Sequence, residues 1–187
     1  MFPIGIATIA AVLRKEQYPI TFLDPENMDM NENDTIEKIK NEKPTVVGVS
    51  SVSANFPLAK AYLEAAKAHG AFTILGGNHA SADNPESILK QFPCIDFVLF
   101  GEADYTVREL CAFIEQGRTD YEKIQGLAYR RGKEIKVNPK RPFIEQLDDL
   151  PQPVWDLVNM DKYNVSNFMW CGKGAAPLIT SRGCPTF

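Results

Sequence analysis

The β-branched run Thr45–Ser51, TVVGVSS, constrains the fold more than any other feature of this sequence. A run of this kind is typical of a strand that is buried on both faces of a parallel sheet. A helix capped by Asp34 or Thr35 is predicted before it, and another helix is predicted over Pro57–His69 after it. A strand between two helices indicates an α/β protein, because parallel strands are joined by crossover connections that cover the sheet.

The alternation continues through the first 120 residues. Further strands are predicted at Ile20–Leu23, Phe72–Leu75 and Phe97–Phe100, and further helices at Ile4–Glu16, Pro85–Gln91 and Thr106–Gln116. The pattern predicts a doubly wound, mostly parallel, flavodoxin- or Rossmann-like sheet. It then changes to a C-terminal hairpin over Gly126–Val137, which turns at Arg131-Gly132, and to a proline-rich linker over Asn138–Pro153. Helical structure is predicted near Trp155–Met160, and the run Pro177–Thr180 indicates the start of another strand.

The chain opens on a helix, whereas folds of this class open on a strand. In the flavodoxin-like order the first strand is central, so its absence would expose backbone groups on both neighbouring strands. We therefore expect the gap to be closed by rearrangement of the sheet or by a partner chain, and the second route would make a homodimer.

Composition excludes several classes of function. The formal net charge of −4 gives no basic face for a nucleic acid, and no apolar run is long enough to span a membrane. An α/β protein without a signal peptide is expected in the cytoplasm, with reduced thiols. None of the four cysteines is two or three residues from another, and Cys94 and Cys111 are expected to be small apolar residues in or near a core.

Ligands of open α/β sheets bind beyond the carboxyl ends of the strands. The three strand ends of this sequence carry small or polar residues suited to such a site: Ser51 and Ser53, then Gly76, Gly77 and His79, then Gly101 and Glu102. Hydroxyls supply hydrogen bonds, adjacent glycines let the backbone approach a ligand closely, and an imidazole binds a metal or a polar group.

Each of these residues also has a purely structural interpretation. Serines favour helix caps, glycine pairs favour tight turns, and a single histidine is commonly structural. Glu102 precedes a predicted helix, where a carboxylate complements the helix dipole, and we favour that role for it. His69 precedes the helix-ending Gly70 and is expected to complement a dipole in the same way.

Several short motifs, taken in order, resemble the amino-terminal half of the cobalamin-dependent radical-SAM family. That family includes methyltransferases and the anaerobic magnesium-protoporphyrin ester oxidative cyclases. The motifs are Pro3-Ile4-Gly5, Asp24, Gly76-Gly77-Asn78-His79-Ala80-Ser81, Asp96-Phe97-Val98, Gly101-Glu102, Gly126-Leu127-Ala128-Tyr129, Asn138-Pro139-Lys140-Arg141-Pro142, Leu147-Asp148-Asp149-Leu150-Pro151, Pro153-Val154-Trp155-Asp156 and the stretch from Thr180 to Pro185.

The resemblance implies a cobalamin site at the strand ends. Ser51 and Ser53 would lie by the nucleotide tail of the cofactor, and Gly76 and Gly77 would let that tail pass between strands. His79, Gly101 and Glu102 would complete the site. The DxHxxG signature of other cobalamin domains is absent, which argues against a histidine beneath the cobalt.

The resemblance also implies an iron–sulfur centre in a longer parent enzyme. Cys184 would be the first cysteine of a CxxxCxxC motif, whose three thiolates hold a 4Fe-4S cluster that binds S-adenosylmethionine. The sequence stops at Phe187, so we expect this chain to bind a corrinoid and not to catalyse alone. The domains implied are a cobalamin-binding-like α/β domain without its first strand (1–120), a hairpin extension (121–138), a linker (139–174) and the start of a radical-SAM domain (175–187).

Two other functions stay open at this point. A Rossmann-like module without a ligand could act in assembly or in substrate presentation, and a pocket filled by Phe56 or Phe100 would favour it. A nucleotide or phosphate site is disfavoured, because the sequence contains neither GxGxxG nor a Walker pattern.

Overall fold

The structure is a computed structural model, and it describes residues 3–162 and 181–182. The helices are α1 (Ile4–Lys15), α2 (Glu32–Glu42), α3 (Phe56–Ala68), α4 (Asn78–Ala82), α5 (Pro85–Gln91) and α6 (Asp104–Glu115). The strands are β1 (Val46–Ser50), β2 (Phe72–Gly76), β3 (Phe97–Leu99), β4 (Leu127–Arg131) and β5 (Glu134–Val137). Short 3-10 turns lie at Ser53–Asn55, Tyr121–Lys123, Leu147–Asp149, Trp155–Leu157 and Met160–Lys162.

The chain divides into two compact units. Residues Met30–Pro142 form one, which contains the whole sheet, and the other combines the chain up to Asp29 with the chain from Phe143 onward. Among the described residues, no helix is long and apolar enough to cross a membrane.

The sheet has the order β1-β2-β3-β4-β5. β1, β2 and β3 are parallel, β4 is antiparallel to β3, and β5 is antiparallel to β4, so four of the five strands point the same way. The parallel part is in register through Ser50 opposite Gly76 and Leu75 opposite Val98. The predicted α/β fold with a mostly parallel sheet and a C-terminal hairpin is confirmed.

Alternate residues of the strands form the core on one face of the sheet. Leu75, Val98 and Ala128 lie in one cluster with Leu63 of α3 and Leu89 of α5. Helices α2 and α3 share a second cluster, which includes Val47 and Val49 of β1. The parallel strands carry apolar residues on both faces, as the β-branched run predicts.

The first turn of α2 differs from the prediction. The helix begins after Asn31, whose side chain accepts a hydrogen bond from the Asp34 amide, while the Asp34 carboxylate accepts one from the Asn31 amide. This reciprocal capping box satisfies two donors at once, so Asn31 is the cap, and Asp34 and Thr35 lie inside the helix.

The predicted strand at Ile20–Leu23 is wrong, because these residues form no strand. Ile20 and Phe22 instead pack with α1, Val154 and Val158, all within the unit that combines the two ends of the chain. β1 is therefore an edge strand in the described part of the chain, and the sheet has no internal gap to be closed.

Two further elements depart from expectation. The motif that follows β2 forms the short helix α4, which the sequence did not predict. Structure near Trp155–Met160 is confined to two 3-10 turns, and the strand predicted at 177–180 lies outside the described residues.

Candidate functional site

The carboxyl ends of β1, β2 and β3 meet at one edge of the sheet, because the three strands are parallel. Every site residue predicted before residue 110 lies at this edge: Ser51 and Ser53 after β1, Gly76, Gly77 and His79 at the end of β2 and beyond, and Gly101 and Glu102 after β3. Cys184 lies outside the described residues.

Hydrogen bonds fasten the segment after β1 to the segment after β2. The Ser51 amide donates to the Gly76 carbonyl over 3.1 Å, and the His79 amide donates to the Ser51 carbonyl over 2.9 Å. The two segments are therefore held in one arrangement before any ligand arrives, which lowers the ordering cost of binding.

Gly77 is required by this packing. Its φ of +86° and ψ of −170° fall in a region that only glycine adopts readily. A Cβ at this position would lie 2.7 Å from Ser50 Oγ, from the Ser51 nitrogen and from the Ser51 oxygen. The space beside Gly77 is thus occupied by the chain itself.

Gly76 has the opposite environment. A Cβ built there meets no atom within 4 Å, and the backbone has no positive φ. The last residue of β2 therefore borders open space at the edge where the site is predicted. A group bound there would approach the backbone as closely as the missing side chain allows.

The two serines also differ. Ser51 is buried, and its hydroxyl lies 2.8 Å from the Val52 carbonyl oxygen and 2.9 Å from Asn55 Oδ1. Asn55 Oδ1 also accepts from the Val52 amide, so this side chain shapes the turn. Ser53 is exposed and presents its hydroxyl at the surface of the turn.

His79 lies in the first turn of α4 and faces the segment after β1. Its Nδ1 is hydrogen-bonded to Ser53 Oγ at 3.1 Å, and its ring centroid is 4.2 Å from that of Phe56. Phe56 in turn packs edge-on against Phe92, at 4.8 Å between centroids. Sequence reasoning identified His79 and Ser53 but did not connect them, because they are 26 positions apart.

The end of β3 is bordered by the segment that follows the hairpin. Gly101, with φ of +76°, faces the side chain of Lys140, whose Cε lies 3.5 Å from a Cβ built on the glycine. The Gly101 amide donates to Ser81 Oγ of α4 over 3.4 Å. Lys140 was not among the predicted site residues, because a single lysine in a proline-rich stretch carries no signal.

Side-chain contacts hold that segment in place. Asn138 Nδ2 donates to the carbonyls of Tyr121 and Ile124 at 2.7 Å each. Arg141 donates to Thr106 Oγ1 over 3.0 Å and forms an ion pair with Glu109. The residues directly after β5 are therefore fixed beside the carboxyl end of β3.

The acidic residues after β3 fit a structural role. Helix α6 begins at Asp104, which is buried in its first turn, and Glu102 precedes the helix by two positions. A carboxylate in the first turn complements the helix dipole, so Asp104 satisfies that requirement directly.

Within the described residues, no three histidine, cysteine or acidic side chains are grouped so that they could hold a metal. What the edge offers is open space at Gly76 beside hydroxyl, imidazole and backbone amide groups. This combination suits a large cofactor that is held by shape and by hydrogen bonds.

Comparison with known proteins finds relatives whose alignments extend over almost the whole chain. The chain is 32% identical over 185 residues to an uncharacterized methyltransferase of Pyrococcus horikoshii. The alignment covers 98% of this chain and 39% of that protein. The chain is also 31% identical over 190 residues to the anaerobic magnesium-protoporphyrin IX monomethyl ester cyclase of Rubrivivax gelatinosus. That alignment covers 98% of this chain and 33% of the cyclase. The chain thus spans between a third and two fifths of these relatives.

A solved structure shares the fold. The cobalamin-dependent S-adenosylmethionine radical enzyme OxsB, with aqua-cobalamin and S-adenosylmethionine bound, superposes with a TM-score of 0.70 at 21% identity, over 83% of this chain and 22% of that one. The family model of the B12 binding domain matches residues 1–111, which is more than half of the chain. The chain therefore belongs to the B12 binding domain family.

Proposed function

We propose that this chain binds a cobalamin at the carboxyl edge of β1, β2 and β3, as the corrinoid-binding module of a radical-SAM enzyme. The observation that carries the proposal is the open space at Gly76 beside two segments that are already fastened together. Ser53, His79, Gly101 and Glu102 follow the same strand ends and would border the bound cofactor.

The predicted site residues divide into two roles in this proposal. Ser51 and Gly77 shape the site from behind, because the Ser51 hydroxyl is engaged within its own turn and Gly77 packs against β1. Gly76 and Ser53 face outward and would meet the nucleotide tail. When bound, the corrinoid supplies cobalt chemistry, such as carrying a methyl group, and the protein supplies orientation.

The structure gives no support to a module that has filled its own site. Phe56 and Phe100 both pack against the core cluster on the α3 face of the sheet. No side chain comes within 4 Å of a Cβ built on Gly76. The assembly function is therefore kept as an outcome of the binding test.

The activity of the parent enzyme is proposed from its relatives. The parent is proposed to be a radical-SAM methyltransferase or cyclase, because its relatives are named methyltransferase and cyclase and OxsB is named an S-adenosylmethionine radical enzyme. In such a parent, Cys184 would be one ligand of a 4Fe-4S cluster that binds S-adenosylmethionine. The division into a cobalamin domain (1–120), a hairpin (121–138), a linker (139–174) and a catalytic start (175–187) belongs to the same proposal, as does a cytoplasmic location.

A homodimer is also proposed. β1 has a strand on one side only in the described part of the chain, and its sequence, VVGVS, carries no charge or proline that would oppose pairing. Two copies could pair β1 against β1 about a two-fold axis. Light scattering after gel filtration is expected to give twice the mass of one chain, and a monomer at micromolar concentration would contradict this part of the proposal.

Titration of the purified chain with hydroxocobalamin, read by absorbance and gel filtration, tests the binding function. The wild type should co-elute with the coloured corrinoid. Gly76→Leu should weaken binding by about tenfold or more, because its side chain enters the open space, and 1.4 kcal/mol already gives a factor of ten. Ala68→Leu adds similar bulk at the exposed end of α3, on the opposite edge of the sheet, and should bind normally.

The result that would overturn the proposal is a folded wild-type protein that retains no corrinoid. The assembly function would then take first place. Equal affinity of Gly76→Leu and wild type for hydroxocobalamin would show that the cofactor does not bind at the end of β2.

A further inference from the structure

We propose that His79 is a positioning residue, which holds the segment after β1 in its binding conformation through Ser53 and Phe56 and acts on the cofactor only through that segment. The inference rests on the proposed cobalamin site and assigns a role within it. It distinguishes a histidine that organises the site from one that contacts the corrinoid itself.

Apart from the capping hydrogen bond that its carbonyl accepts from the Asp83 amide, the hydrogen bonds and the ring contact shown here for His79 reach the same segment. Its amide donates to the Ser51 carbonyl over 2.9 Å, its Nδ1 is hydrogen-bonded to Ser53 Oγ over 3.1 Å, and its ring lies on Phe56 at 4.2 Å. These contacts span the segment from its first residue to the start of α3. His79 therefore fixes both ends of the segment and its middle.

The segment needs such a support. Residues 52–55 are all exposed, and Val52 keeps 46% of its surface. The bonds to Asn55 Oδ1 fix the shape of the turn, but both donors belong to the turn itself. The contacts of His79 come from the segment after β2 and, together with the hydrogen bond from the Ser51 amide to the Gly76 carbonyl, hold the turn in place beside Gly76.

Phe56 connects this arrangement to the core. Its ring packs on Phe92 at 4.8 Å between centroids and lies against the cluster of buried residues on the α3 face. The imidazole thus rests on an anchored surface, while Ser53 fixes its rotation about that surface. A histidine ring is oriented by the partner that one of its nitrogens finds, and here that partner is a hydroxyl of the same site.

A positioning role predicts that Ser53 and His79 act as one unit. The test is a double-mutant cycle on hydroxocobalamin affinity with Ser53→Ala, His79→Phe and the double variant. Phenylalanine keeps a ring over Phe56 and removes the hydrogen bond. Each single variant is expected to weaken binding about 3- to 10-fold, since the net value of one hydrogen bond corresponds to that range, and the double variant should be no weaker than the worse single one.

His69→Gln is the matched control. His69 is the other histidine of the chain, is exposed, and caps the far end of α3, so this variant should bind like the wild type. Effects of Ser53→Ala and His79→Phe that multiply in the double variant would overturn the inference, because independent contacts with the cofactor behave in that way.

A spectroscopic measurement separates positioning from ligation. The electron paramagnetic resonance spectrum of bound cob(II)alamin should be the same in wild type and in His79→Phe. Nitrogen splitting that is present in wild type and lost in His79→Phe would show that the imidazole is a cobalt ligand, and would overturn the inference.

A cofactor-free measurement keeps the inference testable if the wild type binds no cobalamin, a result that would count against the proposed function instead. Amide hydrogen exchange across residues 51–56 should be faster in Ser53→Ala and in His79→Phe than in wild type, and unchanged in His69→Gln. Unaltered exchange in both site variants would overturn the positioning role.

Discussion

Replacement of Gly77 and Gly76 by alanine, one at a time, should separate folding from binding. At Gly77 the backbone lies at φ +86° and ψ −170°, and holding a residue with a side chain in a sparsely populated region costs about 1–3 kcal/mol. The new Cβ would also lie 2.7 Å from three atoms of Ser50 and Ser51, two of them backbone. Overpacking of this kind costs about 1–3 kcal/mol more, so the variant should lose about 2–6 kcal/mol of unfolding free energy.

Gly76→Ala adds the same methyl group with neither penalty. The backbone has no positive φ and no atom lies within 4 Å of the new Cβ. Since glycine in a strand is about 0.5–1 kcal/mol less favourable than alanine, stability should stay the same or rise slightly. A loss of hydroxocobalamin affinity in this variant would then be a property of the site and not of the fold.

Urea unfolding followed by circular dichroism at 222 nm measures both variants against wild type. A midpoint that falls strongly for Gly77→Ala and stays near wild type for Gly76→Ala is the expected result. Equal midpoints for the two variants would refute the assignment of one glycine to packing and the other to open space.

Three further results are expected. Burial raises the pKa of Cys111 to about 11, so at pH 8 its alkylation by iodoacetamide, mapped by mass spectrometry, should be about 100-fold slower than that of a free thiol. Asn31→Ala should cost about 1 kcal/mol in urea unfolding through loss of the capping box, whereas Asn33→Ala, inside the same helix, should cost little. A hydrogen bond from Arg118 holds the pKa of Asp120 below its usual range. The stabilisation from this pair is complete above the unfolded pKa near 4 and is lost as pH falls through the lower folded pKa, so wild type and Arg118→Gln should converge in stability on acidification.

The results that would contradict these expectations are equally plain. Fast alkylation of Cys111 would show that the thiol is accessible and ionised. Equal stability losses for Asn31→Ala and Asn33→Ala would remove the capping box as the cause. A carboxyl pKa for Asp120 that is unchanged in Arg118→Gln, measured by nuclear magnetic resonance, would remove the ion pair as the cause of the shift.

Local patterns were sufficient to predict most of the sheet-bearing unit. The β-branched run and the helix stops lie within single elements, so propensity and periodicity act together there. The same patterns brought the candidate residues to one edge of the sheet, because the carboxyl ends of parallel strands meet there; that this edge binds a ligand stays a prediction. The hairpin was predicted from the turn residues Arg131-Gly132 between its two strands.

Tertiary packing decided what the sequence alone could not. Ile20 and Phe22 have the composition of a strand, but Phe22 is buried and Ile20 partly buried against α1 and Val154, and no strand forms. The helix α4 is five residues long and mostly polar, which is too short for helical periodicity to show. The different roles of Gly76 and Gly77 depend on a backbone angle and on the position of Ser51, and neither can be predicted from the neighbouring residues in the sequence.

Chemical-shift mapping by nuclear magnetic resonance with hydroxocobalamin tests the central claim most directly. Titration should shift the amides of Ser53, Gly76, His79 and Gly101, at the carboxyl edge of the parallel strands, and leave Phe72 at the opposite edge unchanged. Shifts confined to another surface, or no shifts in a folded protein at millimolar corrinoid, would contradict a cobalamin site at this edge.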